Sequence, residues 1–236
     1  MKKLLPILFI AVLALVAVPA HADTTTCPTG ALTAYLVGGF TCSTGTLTFS
    51  NFSFAPGGSM PTAASVGVTP ITTGVDGFSF NPSLSVNNSG LGPAFIAQES
   101  DLTIFYTVTG SSITDLELGF NGAYSGTGSA EVTEQYCLGF ASISGCSSGH
   151  PAGTIQVTNP PANYSQSVTF APVSVLAVSK DIEVQTGSSS GTAGQASISV
   201  VSNQYSVPES ASLTLLGLGL LGLAVAKRSK LGQLSL

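Results

Sequence analysis

The chain has 236 residues, a formal net charge of −5 and only 7% charged residues. Between Asp23 and Ser206 the balance is more one-sided, with ten carboxylates against a single base, Lys180, and a net charge of −9. No basic face can form there to meet phosphates, which excludes nucleic-acid binding, and acidic polysaccharide would be repelled unless cations bridged it.

The N-terminus reads Met1-Lys2-Lys3, an apolar run from Leu4 to Pro19, then Ala20-His21-Ala22. Two lysines, a greasy core and small residues at Ala20 and Ala22 predict a cleavable signal peptide over 1–22. The chain is thus expected to use the Sec export machinery and to mature at Asp23. The remainder can bury one good core, so a single exported domain is expected over 23–203.

Cys27 and Cys42 flank Ala31–Leu36, which reads as a helical turn or a first strand; Cys137 and Cys146 flank Leu138–Gly145. In an exported domain disulfides persist. Three connectivities are possible, and the local pairs Cys27–Cys42 and Cys137–Cys146 are preferred because short loops close at least entropic cost. A metal–thiolate site would need closer cysteine spacing or histidine partners, and after signal cleavage only His150 remains.

Leu47–Phe54 alternates, but its apolar phase slips between Phe49 and Phe52, which predicts a bulge or turn-in near Asn51. Ala64–Ile71 and Gly77–Val86 are further strand candidates, with Pro70 and Pro82 marking edges or ends. Asp101–Val108 is the clearest strand, with Leu102, Ile104, Tyr106 and Val108 on one face. Gly110-Ser111-Ser112 turns the chain into Ile113–Phe120, and Ser129–Tyr136 leads to the second cysteine pair. Thr154–Thr158 stops at Pro160-Pro161. Ser167–Val175 and Leu176–Gln185 read as one long strand or a bent pair, with Val178, Ile182 and Val184 sharing a side. Gly187–Gly194 is a Ser/Gly loop and Gln195–Ser202 a last strand, leaving Asn203–Ser206 as a spacer. Eight to ten short strands with frequent turn signals predict an all-β fold, an antiparallel β-sandwich that could be jelly-roll-like.

The chemistry on offer is sparse. A serine triad needs a histidine base with an orienting acid, and only His150 remains, in Gly149-His150-Pro151 beside a cysteine loop, where it reads as an exposed turn residue. Carboxylates come in pairs two apart: Glu99 and Asp101, Asp115 and Glu117, Asp181 and Glu183. On a strand such pairs share a face about 7 Å apart. That spacing suits glycoside hydrolysis or calcium, but arises equally from solvent-facing alternation. No Asp-rich calcium loop and no tryptophan accompany them. Neither a cofactor nor a metal is expected. Asn51-Phe-Ser, Asn87-Asn-Ser and Asn163-Tyr-Ser fit a glycosylation pattern, which bacterial-type termini make a chance match.

The C-terminal segment 204–236 is of another kind. Val207-Pro208-Glu209-Ser210 precedes an uncharged apolar run, Ala211–Ala226, and then Lys227-Arg228-Ser229-Lys230. At ~1.5 Å per residue the run covers ~24 Å as a helix, slightly less than a ~30 Å hydrocarbon core. The basic cluster places the C-terminus in the cytoplasm. An ordinary membrane anchor would look much the same.

The order of motif, weak span and basic cluster resembles the PEP-CTERM sorting signal of exopolysaccharide-producing Gram-negative bacteria. Val207, Pro208 and Glu209 match that family's Val-Pro-Glu-Pro motif, with Ser210 in place of the second proline. The stretch from Cys27 to Phe54 is also loosely similar to exported regions of such proteins. The resemblance implies processing at Val207–Ser210 by an exosortase-type membrane enzyme, with Lys227, Arg228 and Lys230 as retention charges. The precursor would be tethered to the inner membrane, and its product would reach the cell envelope or the extracellular matrix, associated with exopolysaccharide or biofilm. The leading expectation is a non-catalytic matrix protein. The alternatives are a glycan- or calcium-binding surface module and a membrane-anchored hydrolase.

Overall fold

The computed structural model describes residues 25–58, 61–88, 98–146, 149–187 and 192–207. The signal-peptide residues, Ala20 and Ala22 among them, lie outside these ranges. So do Pro208, Glu209, Ser210, the expected span 211–226 and the cluster of Lys227, Arg228 and Lys230. Among the described residues no helix is long and apolar enough to cross a membrane.

The described chain is all-β. Its strands are β1 (Gly30–Ala31), β2 (Thr41–Thr44), β3 (Leu47–Gly58), β4 (Gly67–Ile71), β5 (Asp76–Asn81), β6 (Leu84–Asn88), β7 (Glu99–Gly126), β8 (Ser129–Leu138), β9 (Ala152–Asn159), β10 (Ser165–Gln185) and β11 (Gly194–Tyr205). Short 3-10 turns occupy Leu32–Ala34 and Ala63–Ser65. The stretch at Ala31–Leu36 is therefore a two-residue strand followed by a helical turn. All pairings between named strands are antiparallel.

The expectation of short strands is corrected by β7, of 28 residues, whereas β10, of 21, is the long strand that Ser167–Gln185 allowed. Both run through two layers. Residues 100–109 of β7 lie between β3 and β10, whereas residues 117–119 lie between β10 and β11. The first layer therefore runs β9-β8-β10-β7-β3-β2, and the second runs β10-β7-β11-β5-β4-β1, with β6 beside β5 along β11. The corner falls at Gly110-Ser111-Ser112 and at the register irregularities between Thr169 and Val175. The small residues 110–112 and the irregular pairing around Pro172 let the two strands bend together. A Cβ at Gly110 would press into Leu47 Cδ2.

The layers meet in a β-sandwich core of alternating inward residues. Leu102, Ile104, Tyr106 and Val108 of β7 face this core, beside Leu176, Val178, Ile182 and Val184 of β10. Aromatic rings cross the gap: Phe49 of β3 sits edge-on to Phe78 of β5 at 4.5 Å, and Phe80 lies 5.9 Å from Tyr106. Such edge and tilted pairs add to the area each ring buries. The phase slip in β3 is a bulge in which Asn51 takes a left-handed φ of 56° and the register to β7 shifts between Ser50 and Ser53. Asparagine tolerates that conformation better than most side chains.

The spacer expected at Asn203–Ser206 is corrected too. β11 continues to Tyr205, because an irregularity between Ile198 and Val200 flips its phase. Val201, Asn203 and Tyr205 then point inward and are buried. The following residue is clamped: Ser206 N–H donates to Asp115 Oδ1 at 2.7 Å, and Thr114 N–H and Oγ1 donate to Ser206 O at 3.1 and 3.2 Å.

Candidate functional site

The outer face of the first layer carries a trough of about 440 Å³. Its floor comes from β3, β7 and β10, and its wall from the loop after β8. Asn51, Ser53, Phe105, Ser142, Ile143 and Ser144 line it. Phe105 is partly exposed and lines the trough beside the amide and hydroxyls. The loop is held in two ways. The Cys137–Cys146 disulfide closes its base, and Thr107 Oγ1 donates to Ala141 O at 2.9 Å. Asn51 Nδ2 donates in turn to Thr107 Oγ1 at 3.2 Å, so the bulge residue and the loop share one hydroxyl. Ile143 also borders a trough of about 380 Å³ on the loop's other side, with Gln135, Tyr136 and Thr154. A further trough of about 310 Å³ on the second layer brings together Ser85, Asn87, Tyr124, Ser125, Gln195 and Ser197. None of the three is lined by a carboxylate.

The carboxylates gather elsewhere on the first layer. Glu183 of β10 stands directly opposite Asp101 of β7 on one side and Glu131 of β8 on the other. Glu99 and Asp181 lie on the same face. Burial pushes the Asp181 and Glu183 carboxyls above their ordinary range, and the neighbouring carboxylates push them further. Two of the three predicted pairs thus merge into one patch, while Asp115 and Glu117 sit on the other half of β7. Asp115 is occupied in clamping Ser206. Among the described residues no group of histidines, cysteines and carboxylates is placed to hold a metal ion. His150 is partly covered, its ring 4.8 Å from that of Phe140.

The most unusual chemistry is inside. Lys180 is fully buried, and no other lysine or arginine occurs among the described residues. The domain's described surface therefore carries carboxylates with no Lys or Arg to offset them. Lys180 of β10 pairs across the ladder with Glu134 of β8, which is also fully buried, and its ammonium donates to Glu134 Oε2. From the opposite layer, Asn203 Nδ2 donates to Glu134 Oε1 and Oε2, each at 2.8 Å. Tyr106 and Tyr205 share a hydrogen bond of 2.7 Å between their hydroxyls. Burial raises both phenols well above their usual range; the Glu134 charge adds to this in each. Burial lowers the Lys180 ammonium, and Glu134 opposes that. Gly77 makes room for the arrangement: a Cβ there would land on the Asn203 carbonyl oxygen.

Of the residues singled out in the sequence, the four cysteines form Cys27–Cys42 and Cys137–Cys146. Val207 is partly buried and packs on the core's rim. Neither the trough nor the buried triad was anticipated. A signal for the triad was present: Lys180 interrupts the inward series Leu176, Val178, Ile182, Val184, and Glu134 sits between Val132 and Tyr136 in the same phase.

No protein-family model matches the chain, and no curated protein matches it in sequence. Among solved structures it is similar to the enzymatically active domain of tailspike protein 4 of bacteriophage CBA120, at 13% identity and a TM-score of 0.28. That match covers 66% of this chain and 19% of the tailspike, so the chain spans about a fifth of that structure's length. It is also similar to TmCBM61, solved in complex with β-1,4-galactotriose, at 10% identity and a TM-score of 0.27 over 65% of this chain and 88% of that one. Overlaps this slight carry no functional argument.

Proposed function

We propose that the chain is an exported, non-catalytic surface protein whose β-sandwich binds neutral glycan at the Asn51–Phe105–Ser144 trough. The observation that carries this is the trough's make-up. A partly exposed aromatic residue is flanked by an amide and hydroxyls, on walls held by a disulfide and by the Thr107 hydrogen bonds. A sugar ring offers an apolar face to stack and hydroxyls to hydrogen-bond, and preformed polar walls reduce the ordering cost of holding it. Carboxylates are kept out of the trough, which favours binding over two-carboxylate hydrolysis.

In the same reading the terminal segment delivers the domain. The signal peptide exports it, the apolar run 211–226 holds it at the membrane as a helix, and an exosortase-type enzyme processes it at Val207–Ser210. It then resides in the envelope or matrix among exopolysaccharide. The two disulfides, which persist in oxidising compartments, support an exported setting.

The test is affinity electrophoresis and calorimetry of the exported domain against a panel of neutral and acidic polysaccharides. Binding to at least one neutral glycan is expected, with Phe105→Ala abolishing it while the melting temperature stays near that of the parent. A Phe105→Ala variant that binds as the parent does removes the trough from consideration.

A further inference from the structure

The buried triad poses a problem that glycan binding leaves untouched. A domain with ten carboxylates and one lysine places that lysine at 0% exposure in an aromatic core. Burying an ion pair usually stabilises less than apolar packing would, because desolvation offsets the attraction. On the surface Lys180 would have met Asp101, Glu131, Asp181 or Glu183. In the core it meets one carboxylate and, through it, a carboxamide.

We infer that Lys180 and Asn203 become joined by an amide bond between Nζ and Cγ, formed with loss of ammonia while Glu134 relays the protons.

The parts are in place. Glu134 Oε2 accepts from both Lys180 Nζ and Asn203 Nδ2, so amine and carboxamide are separated by one shared oxygen. Asn203 Oδ1 is buried and has no hydrogen-bond partner, so Glu134 alone orients the carboxamide and the carbonyl is left in an unsatisfied state. The surroundings favour a neutral amine, since burial lowers the Lys180 ammonium. A proton held between a desolvated lysine and a glutamate is also the usual arrangement for activating an amine as a nucleophile.

The step balances without any outside reagent. The Lys180 ammonium passes one proton to the Glu134 carboxylate, giving a free amine and a neutral acid. The Nζ lone pair attacks Asn203 Cγ, and the carbonyl π pair moves onto Oδ1. As the tetrahedral centre collapses, the Cγ–Nδ2 bond breaks. A proton reaches Nδ2 from Nζ by way of Glu134, and ammonia departs. The products are a secondary amide, ammonia and a protonated Glu134; nothing is oxidised or reduced. The buried ion pair is consumed in the process.

The bond would join layers that only side chains bridge at this point. β10 and β11 are not paired with each other, since β7 lies between them. β11 is the strand that leads to Ser206 and the terminal segment. A pull on the C-terminus reaches β11 first, and the amide passes that load into β10 at the centre of the first layer.

The experiment uses the full chain, expressed with its signal peptide and recovered from the envelope fraction. Intact mass should fall one ammonia short of the disulfide-bonded sequence. Lys180 is the single lysine or arginine between positions 23 and 226, so after reduction and unfolding trypsin should fail to divide the domain there. Glu134→Gln and Asn203→Ala should each restore the full mass and the cut, and Asn203→Asp should lose water in place of ammonia. Folded parent protein of full mass that trypsin cuts at Lys180 overturns the inference, whatever the variants do. Ammonia loss that persists in Asn203→Ala overturns it as well.

Discussion

Lys180 and Asn203 lie on strands that do not pair with one another, yet both donate hydrogen bonds to Oε2 of Glu134. One carboxylate thus holds the two layers in register at the centre of an apolar core. Its removal strands a buried ammonium, a loss of about 3–5 kcal/mol. Glu134→Ala is expected to show that loss in chemical denaturation. Glu134→Leu combined with Lys180→Met should lose less, because the charge leaves with its partner. Neither variant can form the Lys180–Asn203 amide, so equal midpoints for the two would mean that Lys180 is not held charged when Glu134 is absent.

The approach of β5 to β11 beside this triad depends on one missing side chain. Gly77 pairs with Gln204, and a Cβ on it would collide with the Asn203 carbonyl oxygen, a backbone atom that cannot rotate away. Gly77→Ala is therefore expected to cost roughly 1–3 kcal/mol, the range for overpacking a close-packed interior. Thermal melts of the two proteins check this; an unchanged melting temperature would show that β5 can shift without disturbing Asn203.

The carboxylate patch sets a pH dependence of definite sign. Asp181 and Glu183 have folded values raised by burial and by Asp101, Glu131 and Glu99 around them. Both keep protons in the fold at pH values where the unfolded chain has released them. The stability this contributes is present in full below the unfolded values and is lost as pH rises through the raised folded ones. The domain should therefore melt at a higher temperature in mild acid, just above the ordinary carboxylate range, than at neutral pH. Glu183→Gln should raise the neutral melting temperature and flatten the slope. A parent that gains no more stability than Glu183→Gln between neutral pH and mild acid would contradict the repulsion.

The parts of the fold written in local pattern could be read directly. The bulge at Asn51 followed from the slip between Phe49 and Phe52, and the irregular stretch of β10 before Leu176 from its reading as one long strand or a bent pair. The break at Pro82 separates β5 from β6. What failed to show was cooperative over distance. Nothing in Gly110-Ser111-Ser112 says whether the chain turns back as a hairpin or bends into a second layer; that depends on β10 bending with it. The sequence pattern places the end of the last strand at Ser202 and a spacer from Asn203, but β11 runs on to Tyr205. Asn203 is an inward residue whose Nδ2 donates to Glu134, 69 positions earlier. The trough was hidden for the same reason, since Phe105, Asn51 and Ser144 meet only once β3, β7 and the loop are assembled. The carboxylate pairs showed the opposite limit: their spacing was plain, but not that two of them merge with Glu131 away from every trough.

The two disulfides divide stability from binding. Cys27–Cys42 ties the first residues of the domain to β2, and its buried sulfurs belong to the main core. Its loop spans 15 residues, and opening it should cost about 3 kcal/mol by the chain-entropy model. Cys137–Cys146 closes a shorter loop in a small cluster of its own, with Ala177 and Ile143. Its removal by Cys137→Ser with Cys146→Ser should leave the main core intact. The cost should fall on the trough, because Ser142, Ile143 and Ser144 then lose the covalent tie at Cys146 and are held over Phe105 by hydrogen bonds such as those of Thr107 Oγ1 to Ala141 O and Cys146 N–H to Ile143 O. A flexible wall must be ordered on binding, which weakens affinity without altering the contacts themselves. The expected result is a glycan affinity reduced at least tenfold, with a more unfavourable binding entropy and a melting temperature lowered less than by Cys27→Ser with Cys42→Ser. If calorimetry instead shows unchanged affinity in the Cys137/Cys146 variant, the loop is not a wall of the binding site, and the second-layer trough around Tyr124 becomes the surface to test.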